Sequence, residues 1–241
     1  MSARVRWGSV ALFYVIACAI SWPFFWWRDA YAESWAAFTM LGYAKGLLPA
    51  LGPAIGGIIA MAVFRKTHPR TITVFGTSRL HSLLFIATPL AAFTAFGALN
   101  GRNPFEMVLA VATFILYGFG EETGWRGFLW DALRPLPQWP RILVVAVLWG
   151  VWHFTTFLGG TPLDIAKMLG LMSAIWIFGS WGLGKAVDCT KALTVAAVLH
   201  LAFNFVRHMP GAIAWPALGT CAVVWLVLFQ TWPKPKAANP A

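Results

Sequence analysis

The chain has 241 residues, of which 59% are hydrophobic, only 11% are charged and 15 are tryptophan. This composition is too apolar for a soluble domain of that size, so the bilayer is the natural solvent. The formal net charge of +10 would suit a nucleic-acid partner, but the basic residues are spread over many short polar segments and do not form one patch.

A spanning helix needs roughly 20 mostly apolar residues, and the chain offers about eight such stretches with short polar or Pro/Gly-rich breaks between them. We therefore predict an all-α fold, a polytopic membrane helical bundle with about eight transmembrane helices. Residues 1–241 would form a single integral membrane domain with a motif-bearing core at about 107–206 and a short cytoplasmic tail at about 233–241. The stretches are Ser9–Trp27, Gly46–Phe64, Leu80–Leu99, Met107–Leu133, Pro140–Leu158, Ile165–Leu183, Ala192–Val206 and Ala212–Trp232.

The basic residues divide unequally between the two sides of such a bundle. With eight helices and a cytoplasmic amino terminus, about a dozen fall on the cytoplasmic side and about five on the other, as the positive-inside rule requires. We expect both termini in the cytoplasm, a bacterial inner membrane as the location, lipid as a partner and no nucleic acid. The cytoplasmic set is Arg4, Arg6, Arg65, Lys66, Arg70, Arg79, Arg134, Arg141, Lys185, Lys191, Lys234 and Lys236.

The fourth stretch carries adjacent carboxylates, Glu121 and Glu122, in a chain with only 8 acidic residues. Ionisable side chains inside apolar helices are costly and mark functional candidates. Glu122 and Arg126 stand at i and i+4, where they can pair, while Glu121 is rotated roughly 100° away and stays free for chemistry. The structural alternative is a pair at a helix end that reaches up to water.

The fifth and seventh stretches carry further polar residues. His153 lies about 18 Å from the basic end of its helix, inside a core of ~30 Å, although a lone histidine there can simply be a packing residue. His200 and Asn204 are one turn apart on one face, and an interhelical hydrogen-bond clamp would also explain them. Gathering polar groups from three helices into one cavity avoids the cost of burying each alone, and it assembles a hydrolytic site.

The ordered motifs Glu-Glu-x-x-x-Arg (121–126), aromatic-x-x-x-His (149–153) and His-x-x-x-Asn (200–204) resemble the CPBP family of intramembrane proteases. This family includes the Rce1-type CAAX prenyl endopeptidases and bacterial Abi proteins. Trp149 stands where the family usually has Phe. The resemblance implies an endopeptidase in which Glu121 is the general base, supported by Glu122 and Arg126. His153 would hold the water, and His200 and Asn204 would stabilise the oxyanion.

These residues are compatible with two routes, one that uses a metal ion and one that does not. Glu121, His153 and His200 are ligand types of catalytic Zn²⁺, and the family is often described as metalloproteases. H-E-x-x-H is absent, and Asn204 is an unusual zinc ligand but a sensible oxyanion donor. We therefore favour a glutamate-activated, metal-free route.

The substrate is expected to be a membrane-associated peptide or protein, including lipidated, prenylated CAAX-type chains. One alternative is a catalytically silent membrane scaffold or bacteriocin-immunity-type protein of the same fold, although the complete set of polar motif residues counts against it. A small transporter would show two related halves with broken helices, and the sequence has no such duplication.

Overall fold

The computed structural model describes residues 4–26, 46–66, 70–157, 161–205 and 208–233. Within these ranges the regular structure is helical apart from one isolated β-bridge between Thr73 and Ala192, which confirms the all-α prediction. The ends of three predicted stretches, Trp27, Leu158 and Val206, and the tail after Pro233 lie outside the described residues. The α-helices are α1 (Trp7–Trp26), α2 (Leu51–Val63), α3 (Arg79–Leu99), α4 (Pro104–Gly124), α5 (Gln138–Trp152), α6 (Pro162–Thr190), α7 (Leu193–Phe205) and α8 (Gly211–Gln230).

The helices differ in their ability to cross a bilayer. By length and composition five of those described can do so: α1, α3, α6, α8 and α4 together with its continuation to Trp130. The apolar helices α2, α5 and α7 are shorter. The predicted polytopic bundle is therefore confirmed, and of the eight transmembrane helices expected from the sequence, five of those described are long enough to span a core of about 30 Å.

The outer faces of the helices are apolar. Leu116, Phe178 and Val223 are among many large hydrophobic side chains that point away from the protein interior. A continuous apolar surface of this kind is unfavourable in water and favourable in lipid. Together with the apolar helices, it identifies an integral membrane protein.

The interior consists of two apolar clusters that meet along α4 and α7. One cluster joins α3, α4, α7 and α8 around residues such as Phe93 and Phe205. The other joins α1, α5, α6 and the segment after α4 around residues such as Phe13 and Trp152. Phe119 on α4 and Leu199 on α7 pack against both clusters, so these two helices form the seam between them.

Beyond Gly124, α4 continues as a π-helical segment, Trp125–Trp130, whose six residues are all buried. Such segments arise where one extra residue enters a helical turn, and they occur often near functional sites. Arg141 fastens the end of this segment to α5 and α6. Its Nε donates to the Trp130 carbonyl at 2.8 Å, its guanidinium lies over the Trp130 ring, and its Nη1 is 3.0 Å from Asp188 Oδ2. The buried Arg141 side chain thus joins α5 to the π-helical segment and to α6.

The loop between α2 and α3 fixes the position of α7. Thr73 N donates to the Lys191 carbonyl at 2.9 Å, and the Thr73 carbonyl accepts from Leu193 N at 2.8 Å. Lys191 closes α6 in a left-handed conformation with φ 58°, which lets α7 begin two residues later. The direction of α7 is therefore set by backbone hydrogen bonds at its first turn.

Helices α4 and α7 approach closely at Gly118. A Cβ atom added there would overlap the Ala197 carbonyl oxygen, so only glycine permits this separation of the two backbones. Glu122 and His200 lie about one turn further along their helices. The close contact therefore sets the distance across which their side chains meet.

Gly118→Ala should force α4 and α7 apart and destabilise the protein by about 1–3 kcal/mol, the usual cost of overpacking. Thermal unfolding in detergent measures the effect. The control is Gly170→Ala on α6, where an added Cβ meets nothing within 4 Å and a small stabilisation is expected. Equal melting temperatures for the two variants would contradict the assigned contact.

Candidate active site

Glu122 is the centre of a buried charge cluster. Arg126 Nη1 donates to Glu122 Oε1 at 2.8 Å, and His200 Nδ1 lies 2.6 Å from the same oxygen. Glu122 and Arg126 have no exposed side-chain surface. The predicted i, i+4 pair is confirmed, and its complete burial contradicts the alternative in which the pair reaches up to water. Because a carboxylate oxygen accepts at Nδ1 of His200, we assign the proton to that nitrogen. The other ring nitrogen, Nε2, faces Glu121 Oε1 at 3.8 Å.

Glu121 has different partners from its neighbour. Trp149 Nε1 donates to Glu121 Oε2 at 2.9 Å, and His200 Nε2 is 3.8 Å from Glu121 Oε1. The distance of 3.8 Å is too long for a direct hydrogen bond. The prediction that Glu121 is free was therefore wrong for one oxygen, because an indole from α5 binds Oε2.

Arg126 and Trp149 bring α6 into the site. The guanidinium of Arg126 lies over the Trp149 ring at 4.6 Å from its centroid, and Nη2 donates to the Gly179 carbonyl at 3.4 Å. The Trp149 ring also lies 5.6 Å from the His200 ring, centroid to centroid. Four chain segments, α4 with its π-helical continuation, α5, α6 and α7, thus meet around two carboxylates, one guanidinium and one imidazole.

His153 lies at the edge of this cluster. It caps α5, and its Nδ1 is 2.9 Å from the Trp149 carbonyl, which can only accept, so Nδ1 carries a proton. Its ring packs among the rings of Trp149, Trp152 and Trp176. His153 therefore adjoins the cluster through its contact with the Trp149 ring, one turn before it on α5.

Two further residues complete the surroundings. Asn204 is half-buried and lies one turn after His200 on the same helix, so the two residues share a helical face as predicted. Tyr117, one turn before Glu121, has its hydroxyl close enough to interact with that carboxylate, and its ring lies 6.1 Å from the His200 ring. Sequence reasoning missed Tyr117, although its i, i+4 spacing from Glu121 was a usable signal.

The proposed zinc ligands do not form a metal site. In the parts of the chain that the structure describes, no group of three His, Cys, Asp or Glu side chains is placed to hold a metal ion. His153 binds its own helix through Nδ1, and His200 Nδ1 is engaged by Glu122. Glu121, His153 and His200 are therefore not grouped as a three-ligand set, although Nδ1 bonds of this kind are usual for metal-binding histidines, which then bind the metal through Nε2.

Residues 103–206 match the model of a family described as Type II CAAX prenyl endopeptidase Rce1-like. The match covers α4 to α7, where all three polar motifs lie, and it confirms the resemblance to the CPBP/Rce1-type family. This family implies a protease with a peptide or protein substrate at the membrane. A comparison with curated proteins gives no significant match.

Arg126→Met should destabilise the protein by about 3 kcal/mol or more, because it leaves Glu122 charged and buried without its guanidinium. Thermal unfolding in detergent measures the change. The control is Arg134→Met, since that arginine pairs with Asp131 through a side chain that is 41% exposed and contributes about 1 kcal/mol or less. If Arg126→Met unfolds at the same temperature as the parent, the Glu122–Arg126 pair does not stabilise the fold.

Proposed function

Starting from the relationship of residues 103–206 to the CPBP/Rce1-type family, we propose that this protein is an intramembrane endopeptidase. It hydrolyses peptide bonds of membrane-associated substrates with a water molecule that Glu121 activates. The observation that supports this role is the unequal pairing of two adjacent carboxylates. Glu122 pairs with Arg126 and is bound by His200 Nδ1. Glu121 Oε1, in contrast, lies 3.8 Å from His200 Nε2, which is too far for a direct hydrogen bond. Neighbouring titratable groups in different environments are a usual basis for dividing acid-base roles.

In the first step Glu121 Oε1 accepts a proton from water while the water oxygen bonds to the scissile carbonyl carbon. The carbonyl electrons move onto oxygen and form a tetrahedral oxyanion. When the intermediate collapses, the C–N bond breaks and the proton held by Glu121 passes to the leaving amine. The products are one carboxylic acid and one amine, and Glu121 is returned to its starting state.

The oxyanion needs hydrogen-bond donors that are already in place. We assign this role to the Asn204 side-chain amide and to Nε2 of a protonated His200. Glu122 holds the imidazole through Nδ1, as a carboxylate orients histidine in hydrolytic triads. A protonated His200 also balances the charge, since Glu121 and Glu122 would then face one guanidinium and one imidazolium.

A lipidated substrate, such as a prenylated CAAX-type chain, is supported by an apolar groove between α5 and α6. The groove has a volume of about 360 Å³ and is lined by Gly150, Phe154 and Trp176 among others. The Trp176 ring stacks against His153 with 5.8 Å between centroids. The groove therefore borders the site, and an apolar chain held there would present the adjoining peptide to it.

We further propose that residues 1–241 work as one membrane domain. The excess of basic residues in the predicted cytoplasmic segments supports an orientation with both termini in the cytoplasm, and we propose a bacterial inner membrane as the location. Tagging each terminus for protease protection in sealed vesicles tests this orientation.

Glu121→Gln should abolish cleavage, since it keeps the shape of the side chain and removes the base. The measurement compares new peptide termini, by mass spectrometry, in membranes of cells that express the parent or the variant. Termini that appear only with the parent identify both a protease and its substrates, and attached lipids on those substrates test the groove. The control is Glu106→Gln, because Glu106 is an exposed residue in the first turn of α4.

Equal sets of termini from well-expressed, equally stable parent and Glu121→Gln proteins would contradict the protease. The scaffold or immunity-type function would then be favoured, and co-purification with a partner would be the next measurement.

Asn204→Leu should reduce kcat by roughly 100-fold, the usual effect of removing one oxyanion donor. KM should change little, because the bond forms mainly in the transition state. Turnover of a peptide identified by the comparison of termini measures both constants. A rise in KM at unchanged kcat would assign Asn204 to substrate binding instead.

A further inference from the structure

Trp149 occupies a place in the site that its packing fixes on several sides. The side chain is 4% exposed. Arg126 covers the ring, and Gly179 leaves room for it, because a Cβ there would come within 3.2 Å of the indole. A large aromatic ring enclosed in this way has one orientation available.

This orientation directs the only polar atom of Trp149 at the general base. Nε1 donates to Glu121 Oε2 at 2.9 Å in a buried environment, where a hydrogen bond to a charged acceptor is stronger than in water. Trp130, another buried indole, makes no such bond, since its Nε1 has no hydrogen-bond partner among the described residues. Phenylalanine, which the family resemblance leads one to expect at this position, has no N–H to donate.

We infer that Trp149 is a positioning residue, whose indole N–H holds Oε2 of Glu121 and leaves Oε1 to take the proton from water. This inference rests on the proposed protease function. The carboxylate has rotatable bonds, and Nε2 of His200 lies 3.8 Å from Oε1, with the Tyr117 hydroxyl also beside the carboxylate. Without the indole bond, Glu121 can turn to pair directly with His200, and both groups are then withdrawn from the reaction.

The sharpest variant replaces Trp149 with benzothienylalanine, in which a sulfur atom stands in place of the indole N–H. The ring size, the contact with Arg126 and the packing against Gly179 are kept, and only the donor is lost. Trp149→Phe is a second variant that lacks the donor and uses a natural residue. Trp130→benzothienylalanine is the matched control, because Trp130 is equally buried and lies outside the site.

The first readout is turnover of a farnesylated C-a-a-X peptide in proteoliposomes. Both Trp149 variants should lower kcat by roughly tenfold, which corresponds to about 1.4 kcal/mol in the barrier. KM should stay within about twofold, because the indole does not contact the substrate. The Trp130 control should keep the parent's constants. A Trp149 variant with the parent's kcat, or with a raised KM alone, would overturn the inference.

The second readout needs no substrate. In NMR spectra of tryptophan-labelled protein, the indole N–H resonance of Trp149 should lie downfield of that of Trp130 and move upfield in Glu121→Gln. If the parent does not cleave the peptide, the protease proposal fails for this substrate class, while the resonance still shows whether Trp149 holds Glu121. A Trp149 resonance that does not respond to Glu121→Gln overturns the inference whatever the turnover shows.

Discussion

The fold depends on compensating one buried negative charge, that of Glu122. An ionised carboxylate in an apolar interior costs several kcal/mol unless charged and hydrogen-bonded partners surround it. Arg126 supplies the counter-charge from the same helix, and His200 supplies a second bond from α7. Since Arg126 also donates to the Gly179 carbonyl, the compensation of a single charge ties together α4, α6 and α7.

The position of this cluster follows from the two apolar cores. Each core excludes polar groups, and their common boundary runs along α4 and α7, where Phe119 and Leu199 pack against both. Polar side chains at this seam can contact one another across helices without interrupting either core. Two features keep the seam narrow: the glycine contact at Gly118 and the backbone bonds from Thr73 to the start of α7.

Periodicity sufficed to predict contacts within one helix. The Glu122–Arg126 pair and the shared face of His200 and Asn204 follow from 3.6 residues per turn, and the structure has both. Contacts between helices could not be predicted from the sequence, because they depend on the axial register and rotation of each helix. The bond from Trp149 to Glu121 is one such contact. Spacing gives no information on which oxygen an indole from another helix will meet.

The hydrophobic pattern of the sequence also did not predict local irregularities of the backbone. A continuous apolar run predicted one long fourth helix to Leu133, whereas the chain becomes π-helical at Trp125. His153 was expected deep within a helix, but α5 ends at Trp152, and the imidazole serves as its cap. The π-helical segment also has a tertiary contact at its end, where Arg141 of α5 lies over the Trp130 ring.

The same residue type at two adjacent positions illustrates how tertiary contacts assign chemistry. On an isolated helix Glu121 and Glu122 would differ only by a rotation of about 100°. In the folded chain that rotation turns Glu122 towards a guanidinium and an imidazole, and it turns Glu121 towards a neutral indole donor. Glu122 is therefore compensated by charged partners, while Glu121 has neutral donors beside it, the indole of Trp149 and the hydroxyl of Tyr117. The neighbours on α5 and α7 thus place two chemically identical side chains in different surroundings, an ion pair for Glu122 and neutral donors for Glu121.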